Sequence, residues 1–175
     1  MSKKEALLKA AENKVRLGGY SNFSFRELAN EVGIKSASVH YHFPTKADLG
    51  AELAHQYTDA FLLSLGEPAE LKAQGKNPID FYTSLFRGAL VTDKKMCLCG
   101  LLGAESDSLP EKVREEVKRF FTQNLTWLSA AHSVNGEQNP QKAAIQTVSM
   151  LEGAMMISKT LDDHSYFDLA TRDSI

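Results

Sequence analysis

Ser24-Phe25-Arg26-Glu27-Leu28-Ala29-Asn30-Glu31-Val32-Gly33-Ile34-Lys35-Ser36-Ala37-Ser38-Val39-His40-Tyr41-His42-Phe43 holds two helix-sized segments on either side of a glycine. Ser24 and Glu27 have capping-box spacing, in which the hydroxyl takes the third amide and the acid reaches back, so a helix starts at Ser24. Leu28, Ala29 and Val32 make its buried side, Gly33 interrupts it, and the next helix covers about residues 36–43. Neither segment is long enough to persist alone. Two such helices joined by a glycine-containing turn form a helix-turn-helix, whose second helix can lie in the major groove of DNA.

Helical periodicity continues on both sides of this stretch, and no run of alternating β-branched residues interrupts it, so the chain reads as all-α. A first helix over residues 3–17 buries Leu7, Leu8, Ala11 and Val15 and ends at Gly18-Gly19. Pro44-Thr45-Lys46-Ala47-Asp48 stops one helix and caps another, which carries Leu49, Leu53, Tyr57, Phe61 and Leu65 at four-residue steps. Residues 66–77 show no apolar period and contain Gly66, Pro68 and Gly75, the pattern of a loop or linker. Further helices are predicted from Asn77-Pro78, over residues 96–105, from a second capping box at Ser108-Leu109-Pro110-Glu111 to about Val134, and from Asn139-Pro140 to about Leu161. Residues 162–175 are polar and read as a frayed tail or one extra turn.

The 175 residues, 43% of them hydrophobic, can bury a real core, and no stretch approaches the roughly 20 apolar residues that cross a bilayer. The start of the chain lacks the apolar block of a signal peptide, so a soluble, cytoplasmic protein with no membrane partner is expected. The net charge of −2 hides an asymmetry: residues 1–50 carry eight Lys and Arg against five Asp and Glu, leaving the remainder acidic. A basic N-terminal segment on an acidic body suits a DNA contact confined to one end. No His/Asp constellation, glycine-rich phosphate loop or metal-ligand set occurs, so neither catalysis nor a cofactor nor a metal is expected.

Residues 24–34 (Ser-Phe-Arg-Glu-Leu-Ala-Asn-Glu-Val-Gly-Ile) and 37–49 (Ala-Ser-Val-His-Tyr-His-Phe-Pro-Thr-Lys-Ala-Asp-Leu) resemble the tetracycline-repressor (TetR) family. That family usually shows a Gly-Thr-Leu-Tyr-Tyr-His-Phe-like run before a Pro-Ser-Lys-like turn. The resemblance covers about the first fifty residues and is architectural beyond them. It implies a helix-turn-helix DNA-binding domain over residues 1–46, an effector-binding and dimerisation domain over 47–175, and a repressor released from a palindromic operator by a small-molecule effector. By resemblance, Ser36, Ala37 and Ser38 approach base edges of double-stranded operator DNA, while Lys35, Tyr41, His42 and Lys46 bind phosphates. Two positions depart from the pattern. Ala37 stands where Gly is common, and its methyl can pack on a thymine methyl. His40 stands where the family most often has Tyr, so a phosphate contact there is either lost or made pH-dependent.

Cys97 and Cys99 are too close in sequence to staple distant parts of a fold, and a two-residue helical step turns them about 200° apart. One reading makes both small core residues. The other makes Cys97 a reactive thiol beside Lys94 and Lys95, as in some members of the family that sense electrophiles or oxidants. For a conventional ligand, the family resemblance implies a pocket whose candidate walls are Tyr57, Phe61, Tyr82, Phe86 and Met96. It also implies a homodimer through the two long C-terminal helices, where Ser149 and Gly153 allow a close approach. A thiol-dependent enzyme and a helical interaction module without DNA binding stand as the competing functions.

Overall fold

The computed structural model describes residues 2–172. Among them the chain forms α1 (Lys3–Gly18), α2 (Phe25–Val32), α3 (Ser36–His42), α4 (Lys46–Leu65), α5 (Pro68–Ala73), α6 (Pro78–Val91), α7 (Leu98–Ala104), α8 (Glu111–Val134), α9 (Pro140–Leu161) and α10 (Ser165–Thr171). Two 3-10 turns, Tyr20–Asn22 and Ser106–Ser108, complete the regular structure, and no strand occurs among the described residues. The fold class is therefore the predicted one, all-α. None of these helices is long and apolar enough to cross a membrane.

The helices group into two compact units. The first runs up to Asp59 and includes Leu98–Phe120; the second takes Ala60–Cys97 and the chain from Phe121 onward. In the first unit α1 packs on α2 and α7, and α2 packs on α3. Its core is Leu7, Ala11, Phe23, Leu28, Val39, Leu49, Leu98, Leu102 and Val113, all fully or almost fully buried. In the second unit α9 packs on α6 and α10 around Ile79, Tyr82, Leu90, Leu128, Leu151 and Met155.

Helix ends follow the chemistry of their flanking residues. Ser2 caps α1 with a full capping box: its Oγ accepts the Glu5 amide and its own amide donates to the Glu5 carboxylate. Ser24 Oγ accepts the Glu27 amide at 3.3 Å, and Thr45 Oγ1 accepts the Asp48 amide at 3.1 Å, as the sequence suggests. Gly33 closes α2 with φ 71° and ψ 40°, a left-handed conformation that costs a residue with Cβ about 1–2 kcal/mol.

Three segments differ from expectation. Residues 66–77 are not a loop throughout, since α5 lies within them with Pro68 at its first turn and Leu71 buried. Six residues are too few to display a period, and only the Pro start signals them. The capping box at Ser108 does not form. Leu109 precedes Pro110 and is extended (φ −73°, ψ 143°), as a residue before proline must be, so the α8 ladder starts from the Pro110 carbonyl. The Ser108 hydroxyl donates instead to the Glu105 carbonyl.

The tail is the third. Asp162, itself left-handed at φ 51°, ends α9, and α10 follows with Phe167 completely buried. Arg87 fastens α10 to α6 through a two-pronged ion pair with Asp168 (2.7 and 3.0 Å). Phe167→Ala is therefore expected to destabilise the second unit by about 3–5 kcal/mol, the usual loss for an emptied aromatic site. Urea unfolding followed by the fluorescence of Trp127, the chain's one tryptophan and a member of that unit, measures it; an unchanged midpoint would mean that α10 is not anchored.

Candidate nucleic-acid interface

α3 has one side committed to the core and one side open. Val39 is fully buried, and Phe43, the residue that closes the helix, is 3% exposed. Tyr41 by contrast is 86% exposed. Lys35, Ser36 and Ala37 are exposed beside the helix start, and Ser38 is half-buried. The segment thus presents a cation, two hydroxyls, a methyl and a phenol on the accessible side of a one- to two-turn helix, a set able to meet phosphates and base edges. His42 is half-buried, its ring meets Tyr41 edge-on at 5.3 Å, and it lines a shallow cavity of about 440 Å³ with Lys4, Asp48, Glu52 and His55.

His40, which is exposed, and Lys46, which is half-buried, both have partners within the chain. The His40 ring lies edge-on to Phe25 at 4.9 Å, and its Nδ1 is 3.3 Å from the Pro44 carbonyl. A carbonyl can only accept, so Nδ1 carries the proton in that bond. Lys46 is half-buried and turned toward its own unit: Nζ donates to the Phe23 carbonyl at 2.7 Å and sits 4.2 Å above the Phe23 ring and 4.8 Å above that of Tyr20. Burial lowers the Lys46 pKa, while Glu27 and Glu105 act against the shift. The ammonium is spent on joining the start of α4 to the turn before α2.

Tyr20, absent from the sequence-derived set, is the other half of this clamp. Its ring meets Phe23 at 5.8 Å, and burial together with the Asp48 charge pushes its pKa up to about 12. Gly50 on α4 makes the fit possible: a Cβ there would stand 2.7 Å from the Tyr20 ring and 3.0 Å from Val113 of α8. No periodic signal points to Tyr20, because its partners come from distant parts of the chain.

The residues nominated for effector sensing divide between the units. Tyr57 belongs to the first, with its ring 6.0 Å from that of Phe120 and 5.7 Å from the Arg16 guanidinium. Phe61, Tyr82 and Phe86 come together in the second, where Tyr82 stacks on Phe86 at 5.4 Å and on Trp127 at 5.6 Å. Met96 is buried in the same unit. Cys97 is 2% exposed, and its amide donates to Met155 Sδ at 3.1 Å.

Sequence reasoning set Lys94 and Lys95 beside the Cys97 thiol; the structure adds a hydrogen bond from that thiol to the Glu152 carboxylate. Burial raises the Glu152 pKa to about 7, the thiol bond opposing the shift, and Glu152 Oε1 has no hydrogen-bond partner. Nearby Tyr82 donates its hydroxyl to Asn124 Oδ1 at 2.8 Å. Glu152 was missed, yet it had a signal: it falls four residues after Val148 on the apolar face of α9. Among the described residues no group of three or more His, Cys, Asp or Glu is placed to hold a metal ion.

Residues 4–53 match the family of bacterial regulatory proteins called tetR. No curated protein matches the chain. A transcriptional regulator of the TetR family from Agrobacterium tumefaciens is similar in structure, with 28% identity, TM-score 0.86, and coverage of 97% of this chain and 94% of that one. A TetR transcriptional regulator from Legionella pneumophila is similar at 28% identity and TM-score 0.85, over 97% and 94% of the two chains. The reduced form of NemR from E. coli shares the fold at 20% identity and TM-score 0.82, over 97% and 93%. Residues 4–53, which hold the helix-turn-helix, thus match the tetR family of bacterial regulatory proteins, and the helical remainder follows the fold of solved TetR-family transcriptional regulators.

Proposed function

We propose that the protein is a homodimeric repressor that leaves a palindromic operator when a small-molecule or electrophilic effector is sensed by its C-terminal part. The DNA-binding domain is taken as residues 1–46 and the effector-binding and dimerisation domain as 47–175. The observation that carries this reading is the outward side of α3, led by the exposed Tyr41. Ser36, Ala37 and Ser38 approach the base edges, and Lys35, Tyr41 and His42 take phosphates. Lys46 and His40 keep the helix in place through the bonds described above, with Lys46 adding positive charge close to the backbone.

A dimer is supported by α9, where Ile145, Met156, Ile157 and Leu161 are all more than half exposed and the space beside Gly153 is open. Two-fold pairing of α8 and α9 would set two recognition helices about 34–36 Å apart, one turn of B-DNA. An effector releases DNA by binding the DNA-free form more tightly, and linkage requires operator to weaken effector binding equally.

Sensing is assigned to Phe61, Tyr82, Phe86, Met96 and Cys97, which lie in the second unit. Glu152 gives Cys97 a built-in proton acceptor: the thiol proton passes to the carboxylate as sulfur attacks an electrophilic carbon.

Three outcomes follow. Tyr41→Phe should weaken a duplex selected from random-sequence DNA by about tenfold, as expected for a lost hydrogen bond to a charged group. Lys35→Ala should reduce the slope of log affinity against log salt by about one; gel-shift titration at several salt concentrations reads both, and wild-type values in both variants would defeat the α3 assignment. Ile157→Glu should convert the dimer to a 19.3 kDa monomer by light scattering, with unchanged helicity.

A further outcome concerns pH. The folded pKa of Glu152 lies above its ordinary value of 4.5, at about 7, so the unfolded chain ionises first as pH rises. Stability is then full below about pH 4.5 and falls until about pH 7, where the folded group also ionises. Glu152→Gln removes this loss, so its advantage over wild type should grow by up to about 3 kcal/mol between pH 4 and pH 8. A pH-independent difference in urea stability would contradict the buried-acid assignment. Cys97→Ser should keep operator binding and lose its release by N-ethylmaleimide.

A further inference from the structure

Glu105, the residue after α7, is bonded to the turn that launches the helix-turn-helix. Its Oε2 accepts the Tyr20 amide at 2.9 Å. Tyr20 opens a 3-10 turn, where the first amides have no acceptor within the turn itself, so the carboxylate supplies one. The backbone at Gly19 calls for glycine, and its missing side chain leaves room for the carboxylate. A Cβ at Gly19 would lie 2.0 Å from Glu105 Oε1, and φ is +77° there.

Both ends of this bond are held. On the α7 side, the Glu105 carbonyl accepts the Ser108 amide and hydroxyl, each at 2.9 Å, and α7 itself packs on α1 with Leu98, Cys99 and Leu102 buried. On the turn side, Asn22 Nδ2 donates to the Lys14 carbonyl at 2.8 Å, and the Tyr20 ring sits under the Lys46 ammonium. Lys46 in turn donates to the Phe23 carbonyl, one residue before the Ser24 cap of α2. The contacts therefore run from α7 through Glu105 and Tyr20 to the starts of α2 and α4, the two helices that flank α3.

We propose that Glu105 is a positioning residue for DNA binding: its carboxylate fixes the turn between α1 and α2, so that movement of α7 is felt as a change in the pose of α3. This rests on the reading of α3 as the DNA-contacting helix. Glu105 touches no DNA in this account. It acts by holding Tyr20, and a Gln in its place keeps an acceptor oxygen where Ala keeps none.

The test uses the full chain and a duplex selected by the wild-type protein from random-sequence DNA. Glu105→Ala is expected to weaken binding on the order of tenfold, within the usual range for coupled sites, while Glu105→Gln recovers most of the loss. The Tyr20 amide should exchange with deuterium faster in Glu105→Ala, with α6 amides unchanged. The Tyr41→Phe loss should shrink in the Glu105→Ala background, since a misplaced α3 no longer delivers that hydroxyl.

A folded Glu105→Ala protein that binds like wild type overturns the proposal. So does an identical Tyr41→Phe factor in both backgrounds, which would reduce Glu105 to a stability role. If Tyr41→Phe has no effect even in wild type, the α3 reading fails on its own, and the contrast between Glu105→Ala and Glu105→Gln still decides whether the carboxylate matters. Should Glu105→Ala not fold, Gly19→Ala displaces the same carboxylate and must reproduce the loss of affinity, or the proposal falls.

Discussion

The burial of Val39 is the constraint on which the rest depends. A seven-residue helix has no stability of its own, so α3 exists because Val39 and Phe43 are drawn into the core of the first unit while Tyr41 is left outside. Everything adjacent serves that division. Gly33 turns the chain sharply enough for α3 to lie on α2, and Phe23 and Leu28 fill the space beneath. The outward residues stay accessible only because the inward ones are fixed.

Two buried or half-buried charges are treated in opposite ways. Lys46 meets a carbonyl and two aromatic faces in place of the water it loses, the electrostatics that make cations welcome over rings, and burial lowers its pKa. Glu152 has a thiol at one oxygen and no partner at the other, and its affinity for a proton rises into the neutral range. The first arrangement favours rigidity beside α3. The second leaves a group in the core whose charge depends on its surroundings.

Much of this was readable from residue order. Caps at Ser24 and Thr45, the glycine after α2 and the period of Leu49, Leu53 and Leu65 are local signals, and each element that carries them lies where expected. What stayed hidden depends on distant partners. Polarity marked residues 162–175 as a tail, yet one aromatic, Phe167, finds a cavity to fill and brings a helix with it. Ser108 and Glu111 had capping spacing, but the proline between them ruled out the conformation it requires. A motif conveys the type of residue at Lys46 and its place, while the direction of that long side chain is decided by the rings it meets.

Gly50 sets a ceiling on how far the first unit can be hardened against heat. Exchanging a mid-helix glycine for alanine is ordinarily among the safest routes to a more robust protein, because it restricts the unfolded chain and favours the helix. At this position the added methyl would collide with an aromatic ring on one side and a valine on the other. Thermal adaptation of this protein must therefore come from elsewhere, since a stiffer α4 would be gained by expelling the ring on which the lysine rests.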